Sequence, residues 1–155
     1  SMSIRKINIF DKIGALIPGY SGYAERDSRK NCDKKLRIFL SERLKKFEDL
    51  INEKILDTIS ESKIENLSHL EILRKKTNNL SSKIGFAPYG SNAFFSDQKI
   101  DSNELDVIYN YDLEISEKIE TLFLDDTINN NEAINIISSV EDILMSRNNF
   151  IKKLK

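Results

Sequence analysis

The sequence has 155 residues, of which 32% are charged and 39% hydrophobic, so its composition is that of one globular domain and not of a membrane-embedded or disordered chain. Its 24 basic and 25 acidic side chains nearly cancel, which excludes a protein held to nucleic acid by its overall charge. One cysteine and one histidine exclude an intramolecular disulfide and argue against a zinc site, and five glycines and two prolines are too few for the turns of an all-β fold.

We expect a single helical domain over residues 1–155, in which Ser1 is a remnant of a cleaved tag. Charged residues at positions 5, 6, 11 and 12 interrupt the apolar residues of the N-terminal stretch, so no signal peptide is expected. No run approaches the roughly 18 apolar residues of a membrane span. The sequence therefore predicts a cytoplasmic protein, with peripheral attachment to a membrane as the open alternative.

The first predicted element is a short amphipathic helix. Its apolar residues recur at steps of three and four: Ile4, Ile7, Phe10, Ile13 and Ile17. It must end before Pro18 and Gly19, because proline disfavours the α conformation in the residue before it and glycine readily leaves that conformation. The sequence leaves open whether residues 1–17 dock on the rest of the chain or form a detachable helix.

The longest predicted element is a helix over about residues 24–60, a stretch without glycine or proline. Its apolar positions also follow at steps of three and four: Leu36, Leu40, Leu44, Phe47, Ile51, Ile55 and Ile59. The polar run 60–66 interrupts this pattern and supplies capping residues, so we place a break there. A third helix follows and ends at Gly85, a residue type favoured at helix C-termini.

An irregular aromatic loop is expected over about residues 85–100, where glycine and proline stand among four aromatic residues. Asp101 and Glu104 then have the spacing of a capping box and start a fourth helix. A fifth helix follows a polar turn at 125–131, and the similar lengths of the last two helices predict an antiparallel hairpin. The sequence therefore predicts an all-α fold, an antiparallel bundle of four to five helices.

Charge is unevenly distributed along the chain. Residues 1–47 carry 12 basic and 5 acidic side chains, whereas residues 97–146 carry 2 basic and 13 acidic ones. Either the two segments lie side by side and offset each other's repulsion, or the basic segment faces an anionic partner.

The sequence contains no recognised catalytic or cofactor-binding motif. Phosphate-binding glycine loops are absent, and one histidine cannot supply the two Glu-x-x-His motifs of a di-iron bundle. His69 follows Glu65 by one helical turn, which predicts a hydrogen-bonded pair at the edge of the bundle. Cys32 precedes the apolar Leu36 by one turn, which predicts a buried side chain and not a nucleophile. We therefore expect a non-enzymatic protein with no bound metal or cofactor.

The most distinctive motif is the Gly-Tyr loop, residues 17–23, which holds two Gly-Tyr pairs just before the long helix. Arg26, Lys30 and Arg37, together with the anion Asp33, follow at steps of three and four and so lie on one stripe of the long helix. One interpretation is an exposed recognition surface of tyrosines and cations, suited to an acidic helix, a phosphate-bearing lipid or nucleic acid. The other is that both tyrosines pack under the first helix while the cations meet acidic residues of the fourth, such as Asp106 and Asp112.

The aromatic loop after the third helix is the second distinctive motif. Because the third helix is about half as long as the second, this loop can run back along the uncovered N-terminal half of the second helix, toward the Gly-Tyr loop. The two loops together either line a binding groove or form a plug, that is, a packed cover over the N-terminal half of the second helix. The candidate binding residues are Tyr20, Tyr23, Arg26, Arg29, Lys30, Arg37, Tyr89 and Phe94.

The same two segments carry a resemblance. The motifs Ile-Pro-Gly-Tyr-x-Gly-Tyr at residues 17–23, Glu-Arg-Asp-x-Arg-Lys at 25–30 and Pro-Tyr-Gly…Phe-Phe at 88–95 are similar to those of a group of small uncharacterised bacterial helical proteins. The resemblance implies a bacterial, cytoplasmic, helical protein, and it brings no catalytic residue with it.

Three functions are compatible with these features. The first is a non-enzymatic helical interaction or adaptor module in a cytoplasmic assembly, which binds a protein partner or a second copy of itself through the Gly-Tyr loop and the basic start of the second helix. The second is a peripheral binder of anionic membrane or nucleic acid through the basic N-terminal segment. The third is a small-molecule binder or enzyme in an aromatic groove, with Arg26 at its edge. We favour the first, because long apolar helical stripes occur here without a catalytic constellation.

Overall fold

The computed structural model describes residues 2–87, 89, 92–95 and 99–154, with side chains from Ile9 onward. Its described residues form five α-helices: α1 (Met2–Leu16), α2 (Arg26–Ser60), α3 (Leu67–Gly85), α4 (Ser102–Thr121) and α5 (Glu132–Lys153). Ser1, the side chains of Ile4 and Ile7, and Pro88 and Gly90 of the aromatic loop lie outside the described residues. The predicted all-α bundle is confirmed.

Helix α2 is the longest element and organises the bundle. Its 35 residues extend about 52 Å at 1.5 Å per residue, whereas α3 has only 19 residues. The predicted apolar stripe is buried from Leu36 to Ile51. Ile55 is only half-buried and Ile59 is exposed, because the last turns of α2 reach the end of the bundle, where fewer neighbours cover them. The stripe thus predicts the packed face over most of the helix.

Helices α2 and α3 are separate elements that pack against each other over much of the length of α3. The chain reverses at Ser62, which adopts a left-handed φ of 58°, and a 3-10 turn over Ile64–Asn66 leads into α3. The predicted break after residue 60 and the predicted end at Gly85 are both confirmed.

Helices α4 and α5 form the expected hairpin. The Asp101 carboxylate accepts the backbone N–H of Glu104 at 2.8 Å and the Glu104 carboxylate accepts that of Asp101 at 3.2 Å, so the predicted capping box is present. A 3-10 turn over Thr127–Asn129 joins the two helices.

Helix α1 is docked on α4. Ile9, Ile13 and Ile17 are buried in the common core, and the Phe10 ring lies 4.5 Å from the ring of Tyr109, centroid to centroid. The described part of this segment is therefore packed, which favours docking over the detachable alternative. Within the described part of the chain, no helix combines the length and the apolar character needed to cross a lipid bilayer.

The N-terminal half of α2, which α3 is too short to cover, is covered by the two loops. A 3-10 turn over Ala93–Phe95 packs on α2 and α5, and Phe94 is buried there. The Gly-Tyr loop packs beside it, with Tyr23 fully buried and its ring 5.6 Å from that of Phe94. The described residues of the two loops, which we call the plug, thus lie as the plug interpretation expects, and they position the site described next.

Candidate functional site

The plug encloses a cluster of buried charges centred on Arg147 of α5. The Arg147 Nε donates to Asp112 Oδ1 at 2.6 Å, and its Nη2 donates to Asp33 Oδ1 at 2.7 Å. The arginine is 1% exposed and both carboxylates are 0% exposed. One cation therefore joins a carboxylate of α2 to a carboxylate of α4 in the centre of the bundle.

Three tyrosine hydroxyls complete the hydrogen bonding of these carboxylates. Tyr20 and Tyr23 donate to Asp112 Oδ2 at 2.7 Å and 2.6 Å, and Tyr89 donates to Asp33 Oδ2 at 2.7 Å. Every carboxylate oxygen of the cluster thus has a partner. We call this cluster the buried polar network; its members are Tyr20, Tyr23, Asp33, Arg37, Tyr89, Asp112 and Arg147.

Electrostatics shift the pKa values of two groups of the network. Burial, followed by the Asp112 charge, raises the pKa of Tyr23 well above its usual value, so this phenol stays neutral and donates. Burial alone would raise the pKa of Asp33, but the charges of Arg147 and Arg37 outweigh it and lower that pKa, so Asp33 accepts as a carboxylate.

Arg37 connects the network to the end of α3. Its Nε donates to Asp33 Oδ2 at 2.7 Å, and its Nη1 donates to the carbonyl oxygens of Ile84 and Phe86 at 3.0 Å and 3.1 Å. Its Nη2 lies 3.5 Å from the Asn148 side-chain oxygen on α5. Arg37 therefore fixes the backbone on either side of the helix terminus at Gly85.

Arg29 joins the two loops of the plug. Its Nε donates to the carbonyl of Tyr23 at 2.8 Å, and its Nη1 donates to the carbonyl of Phe94 at 3.2 Å. The guanidinium also lies 5.0 Å from the centre of the Phe94 ring. The predicted convergence of the Gly-Tyr loop and the aromatic loop is confirmed, and a buried arginine holds them together.

The eight predicted binding residues divide between the interior and the surface. Tyr23, Arg29, Arg37 and Phe94 are buried, Tyr20 and Tyr89 are half-buried, and Arg26 and Lys30 are exposed. The Lys30 ammonium lies 5.3 Å from the centre of the Tyr89 ring. The hypothesis of an exposed tyrosine surface is wrong for Tyr23, because its hydroxyl is satisfied only inside the network.

The alternative, with the tyrosines packed beneath α1, is correct in outline but not in the ion pair of Asp112. Tyr23 stacks on Tyr109 at 5.7 Å between centroids, and its backbone N–H donates to the Tyr109 hydroxyl at 2.9 Å. Asp112, however, pairs with Arg147 of α5. Arg43 of α2 does reach α4, where it binds Glu120 through two hydrogen bonds of 2.8 Å and 2.9 Å.

The aromatic groove of the third hypothesis is filled. The Tyr23 and Phe94 rings lie 5.6 Å apart, and the Tyr89 and Phe95 rings meet edge to face at 4.9 Å. Among the described residues, the rings proposed to line a groove thus contact one another and α2, which contradicts a groove between them.

The centre of the network, Arg147, is the residue that sequence reasoning missed. Its position relative to Val140, Leu144 and Ile151 places it on the buried stripe of α5, at steps of three and four. Asp112 stands on the buried stripe of α4 in the same way. A cation and an anion on two apolar stripes of one hairpin are the signal that predicts a buried pair.

A surface hollow lies beside the network, between α3 and α5. It encloses about 810 Å³. We call it the α3–α5 groove; it is lined by Ser82, Lys83, Phe86, Ser138, Glu141, Asp142, Leu144, Met145, Asn148 and Asn149. Phe86 and Met145 are 73% and 63% exposed, which is unusual for large apolar side chains that face each other across a hollow.

His69 and Cys32 are placed as follows. Cys32 is buried, as predicted, and burial raises its pKa to about 11. His69 is half-buried at the bundle edge, but its Nε2 has no hydrogen-bond partner among the described residues, so this nitrogen does not form the predicted pair with Glu65. Among the described residues, no group of three or more histidine, cysteine, aspartate or glutamate side chains is placed to hold a metal ion.

No family model matches the sequence, and neither the curated proteins nor the solved structures include a significant match. The resemblance to small bacterial helical proteins therefore stays a prediction.

Proposed function

We propose that the protein is a non-enzymatic interaction module that binds an amphipathic helix of a partner protein in the α3–α5 groove. The observation that carries this proposal is the exposure of Phe86 and Met145 on the two sides of one hollow. Large exposed apolar side chains that share a concave surface are typical of partner-binding sites. The contact surface thus moves from the Gly-Tyr loop, which is mostly buried, to the neighbouring groove.

The dimensions of the groove fit a short helix. On α5 the lining runs from Ser138 to Asn149, which is twelve residues or about 17 Å of helix. That length matches roughly three turns of a partner, enough for apolar anchors at positions i, i+3 or i+4, and i+7. The buried Leu144 forms the apolar floor between the two exposed side chains.

Charge at the rim favours a partner with cations beside its apolar stripe. Lys83 is neutralised by Glu141, with 3.1 Å between the ammonium and the carboxylate oxygen. Asp142 is exposed and forms no ion pair with a described residue. The rim therefore presents a net negative charge, which attracts a basic helix and repels an acidic one.

The buried polar network contributes by holding the groove in shape. Arg37 binds the carbonyl of Phe86 and reaches Asn148, so one buried side chain contacts both walls of the groove. A recognition residue held in place before binding loses less conformational freedom on binding. The predicted site residue Arg37 thus acts here as a positioning residue.

The proposal is tested with two designed helical peptides of 14 residues. Both carry leucine at positions i, i+3, i+4 and i+7, and the remaining positions are mainly lysine in one and glutamate in the other. We expect the lysine peptide to bind and to shift the NMR signal of the Met145 methyl group, and the glutamate peptide to bind at least about tenfold more weakly. Perturbation of other regions with Met145 unmoved would contradict the proposal.

The variant Phe86→Ala tests whether the exposed phenylalanine of the groove contributes to peptide binding. We expect it to weaken binding of the lysine peptide by about tenfold or more, since replacing a central aromatic residue of an interface by alanine commonly costs that much affinity. Its free energy of unfolding should stay nearly unchanged, because Phe86 is mostly exposed. Leu56→Ala is the matched control, because Leu56 is an exposed apolar residue of α2 outside the groove. A dimer that Phe86→Ala abolishes would instead identify a second copy as the occupant.

The basic N-terminal segment supports a second candidate, the binding of anionic membrane or nucleic acid. Lys30, Lys34 and Lys45 are exposed on α2, and Lys34 and Lys45 form no ion pair with a described residue. A row of such lysines attracts phosphates in a salt-dependent way. Co-sedimentation with vesicles rich in phosphatidylserine should then fall as salt rises, and replacement of these three lysines by alanine should abolish it.

A further inference from the structure

A second hollow opens at the other end of the bundle, at the end of α2. It lies where the end of α2, the connection to α3 and the connection from α4 to α5 meet, and it encloses about 500 Å³. We call it the bundle-end cavity; it is lined by Lys54, Thr58, Glu61, Lys63, Asn66, His69, Leu70, Ile128, Asn129, Asn130 and Asn131. It belongs neither to the network nor to the α3–α5 groove.

Two polar groups in this cavity lack partners among the described residues. The Nε2 atom of His69 is buried and has no hydrogen-bond partner among the described residues. Lys54 is half-buried, and it forms no ion pair with a described residue. A buried polar atom without a partner costs free energy, so its presence in a polar cavity points to a ligand that supplies the missing partner.

Several polar groups of the cavity already have partners. Glu61 supplies its one carboxylate, and this pairs with Lys63 at 3.2 Å. The Thr58 hydroxyl donates to the backbone carbonyl of Lys54 at 2.7 Å. The Asn130 side-chain oxygen accepts the backbone N–H of Glu132 at 2.7 Å. Among the described residues, the Lys54 ammonium is therefore the charged group of the cavity that no ion pair neutralises.

Two asparagine side chains supply further donors. Asn66 and Asn131 are the residues before α3 and α5, and neither side chain caps its helix. Both line the cavity, so their amide nitrogens are available to a ligand beside the Lys54 ammonium. The cation and the amide donors together favour a ligand with negative charge.

We infer that the bundle-end cavity binds the phosphate group of a small metabolite. Lys54 and His69 would contact the phosphate oxygens, and Asn66 and Asn131 would supply further amide donors. The volume exceeds that of a free phosphate ion and lies within the range of small-molecule sites. Leu70 and Ile128 provide an apolar wall for the remainder of the ligand. This site is independent of the function proposed for the groove.

The experiment uses the single histidine of the chain as its probe. Inorganic phosphate is titrated at constant pH and ionic strength, with chloride in the reference sample, while the NMR signal of the His69 ring is recorded. We expect a saturable shift in phosphate and none in chloride. The thermal unfolding midpoint should also rise with phosphate concentration, as it does for any ligand that binds only the folded state.

Lys54→Met tests the assignment of the cation. We expect phosphate to bind this variant about tenfold more weakly, since one charge-assisted hydrogen bond is lost. Lys46→Met is the matched control, because Lys46 is an exposed lysine of α2 outside the cavity, and its affinity should equal that of the unaltered chain. Equal affinity of Lys54→Met, or a His69 shift with citrate but not with phosphate, would overturn the inference.

Discussion

At the scale of single residues, Arg147 is the side chain whose removal should cost most. It places a positive charge between two buried carboxylates, at 2.6 Å from Asp112 and 2.7 Å from Asp33. Arg147→Met leaves both carboxylates in the interior without that cation. We expect the free energy of unfolding to fall by about 3–5 kcal/mol, the usual cost of breaking a buried ion pair from one side. Urea unfolding followed by circular dichroism measures it.

Tyr20→Phe is the control for that substitution. It removes one hydrogen bond to Asp112, which keeps those from Tyr23 and Arg147. We expect a loss of only about 1 kcal/mol, the typical net value of one hydrogen bond. If Arg147→Met cost no more than Tyr20→Phe, the network would not be the charged centre described here.

The network also makes stability depend on pH on the acid side. The folded structure lowers the pKa of Asp33, because Arg147 and Arg37 outweigh the effect of burial. The unfolded chain therefore takes up a proton at Asp33 at a higher pH than the folded chain does. The stabilisation by Asp33 is complete above the ordinary pKa of an aspartate, roughly 4. It is lost as pH falls through the lower pKa that Asp33 has in the folded state.

Asp33→Asn isolates this contribution. We expect the variant to be less stable at pH 7 but to lose less further stability between pH 5 and pH 3 than the unaltered chain. Urea unfolding at several pH values gives the free energy of unfolding of each protein, and the change of this free energy with pH is compared between the two. Parallel curves for the two proteins would show that Asp33 titrates alike in the folded and unfolded states, contrary to the prediction.

At the scale of elements, the Gly-Tyr loop acts as a cover over Cys32. The backbone N–H of Gly22 donates to the Cys32 sulfur at 3.2 Å, and burial raises the thiol pKa to about 11. Few thiolates form at pH 8, and those that do are not accessible. We therefore expect alkylation of Cys32 by iodoacetamide at pH 8 to be slow in the folded protein and fast in urea.

Gly22→Ala should loosen this cover. Gly22 has a φ of +84°, and an added Cβ would lie 2.6 Å from the Phe10 ring and 2.9 Å from the Tyr109 hydroxyl. We expect faster alkylation of Cys32 in this variant. Gly14→Ala is the control, because a Cβ there meets nothing within 4 Å and alanine favours the helix. Equal alkylation rates for both variants would contradict the role of the loop as a cover.

The elements themselves were largely predictable because their signals are local. Apolar residues at steps of three and four mark α2, and Asp101 with Glu104 marks the start of α4 within four residues of sequence. The start of α2 was placed two residues early, at 24, because Ala24 and Glu25 fit a helix by type. Glu25 instead adopts an extended conformation, with ψ of 119°, which lets the Gly-Tyr loop turn toward Tyr109.

At the scale of the whole molecule, the site was less predictable because its contacts are distant in sequence. Arg147 and Asp33 are 114 residues apart, and Tyr23 and Asp112 are 89 apart. No local spacing reports which carboxylate an arginine meets across a bundle. The exposure of Phe86 likewise depends on where Arg37 holds the backbone after α3, a tertiary effect that residue type alone does not reveal.

The basic and acidic segments meet at an ion pair, in which Arg43 of α2 binds Glu120 of α4 through two hydrogen bonds. The acidic segment also pairs with α3, where Lys83 binds Glu141. These pairs are partly exposed, so each contributes little to stability. Most of the free energy that joins the helices should therefore come from the apolar core and the buried network.

This connectivity predicts that the chain unfolds as one unit. Tyr23 joins the Gly-Tyr loop to α4 and α5, and α1 packs on the same face through Ile13 and Phe10. Helix content, followed by circular dichroism at 222 nm, and tyrosine emission should lose their signals at the same urea concentration. The chain has no tryptophan, so tyrosine emission is not lost to energy transfer and reports on this region directly.

Ile13→Ala distinguishes a docked α1 from a detachable one. Ile13 is fully buried, and its truncation should lower the free energy of unfolding by about 2–5 kcal/mol. If α1 belongs to the cooperative unit, the midpoints of circular dichroism and tyrosine emission shift together. If it detaches first, tyrosine emission shifts to a lower urea concentration than most of the helix signal, because Phe10 leaves the ring of Tyr109 while the remaining helices stay folded. The coincident shift is the result we expect, since the face beneath α1 carries buried groups that need its cover.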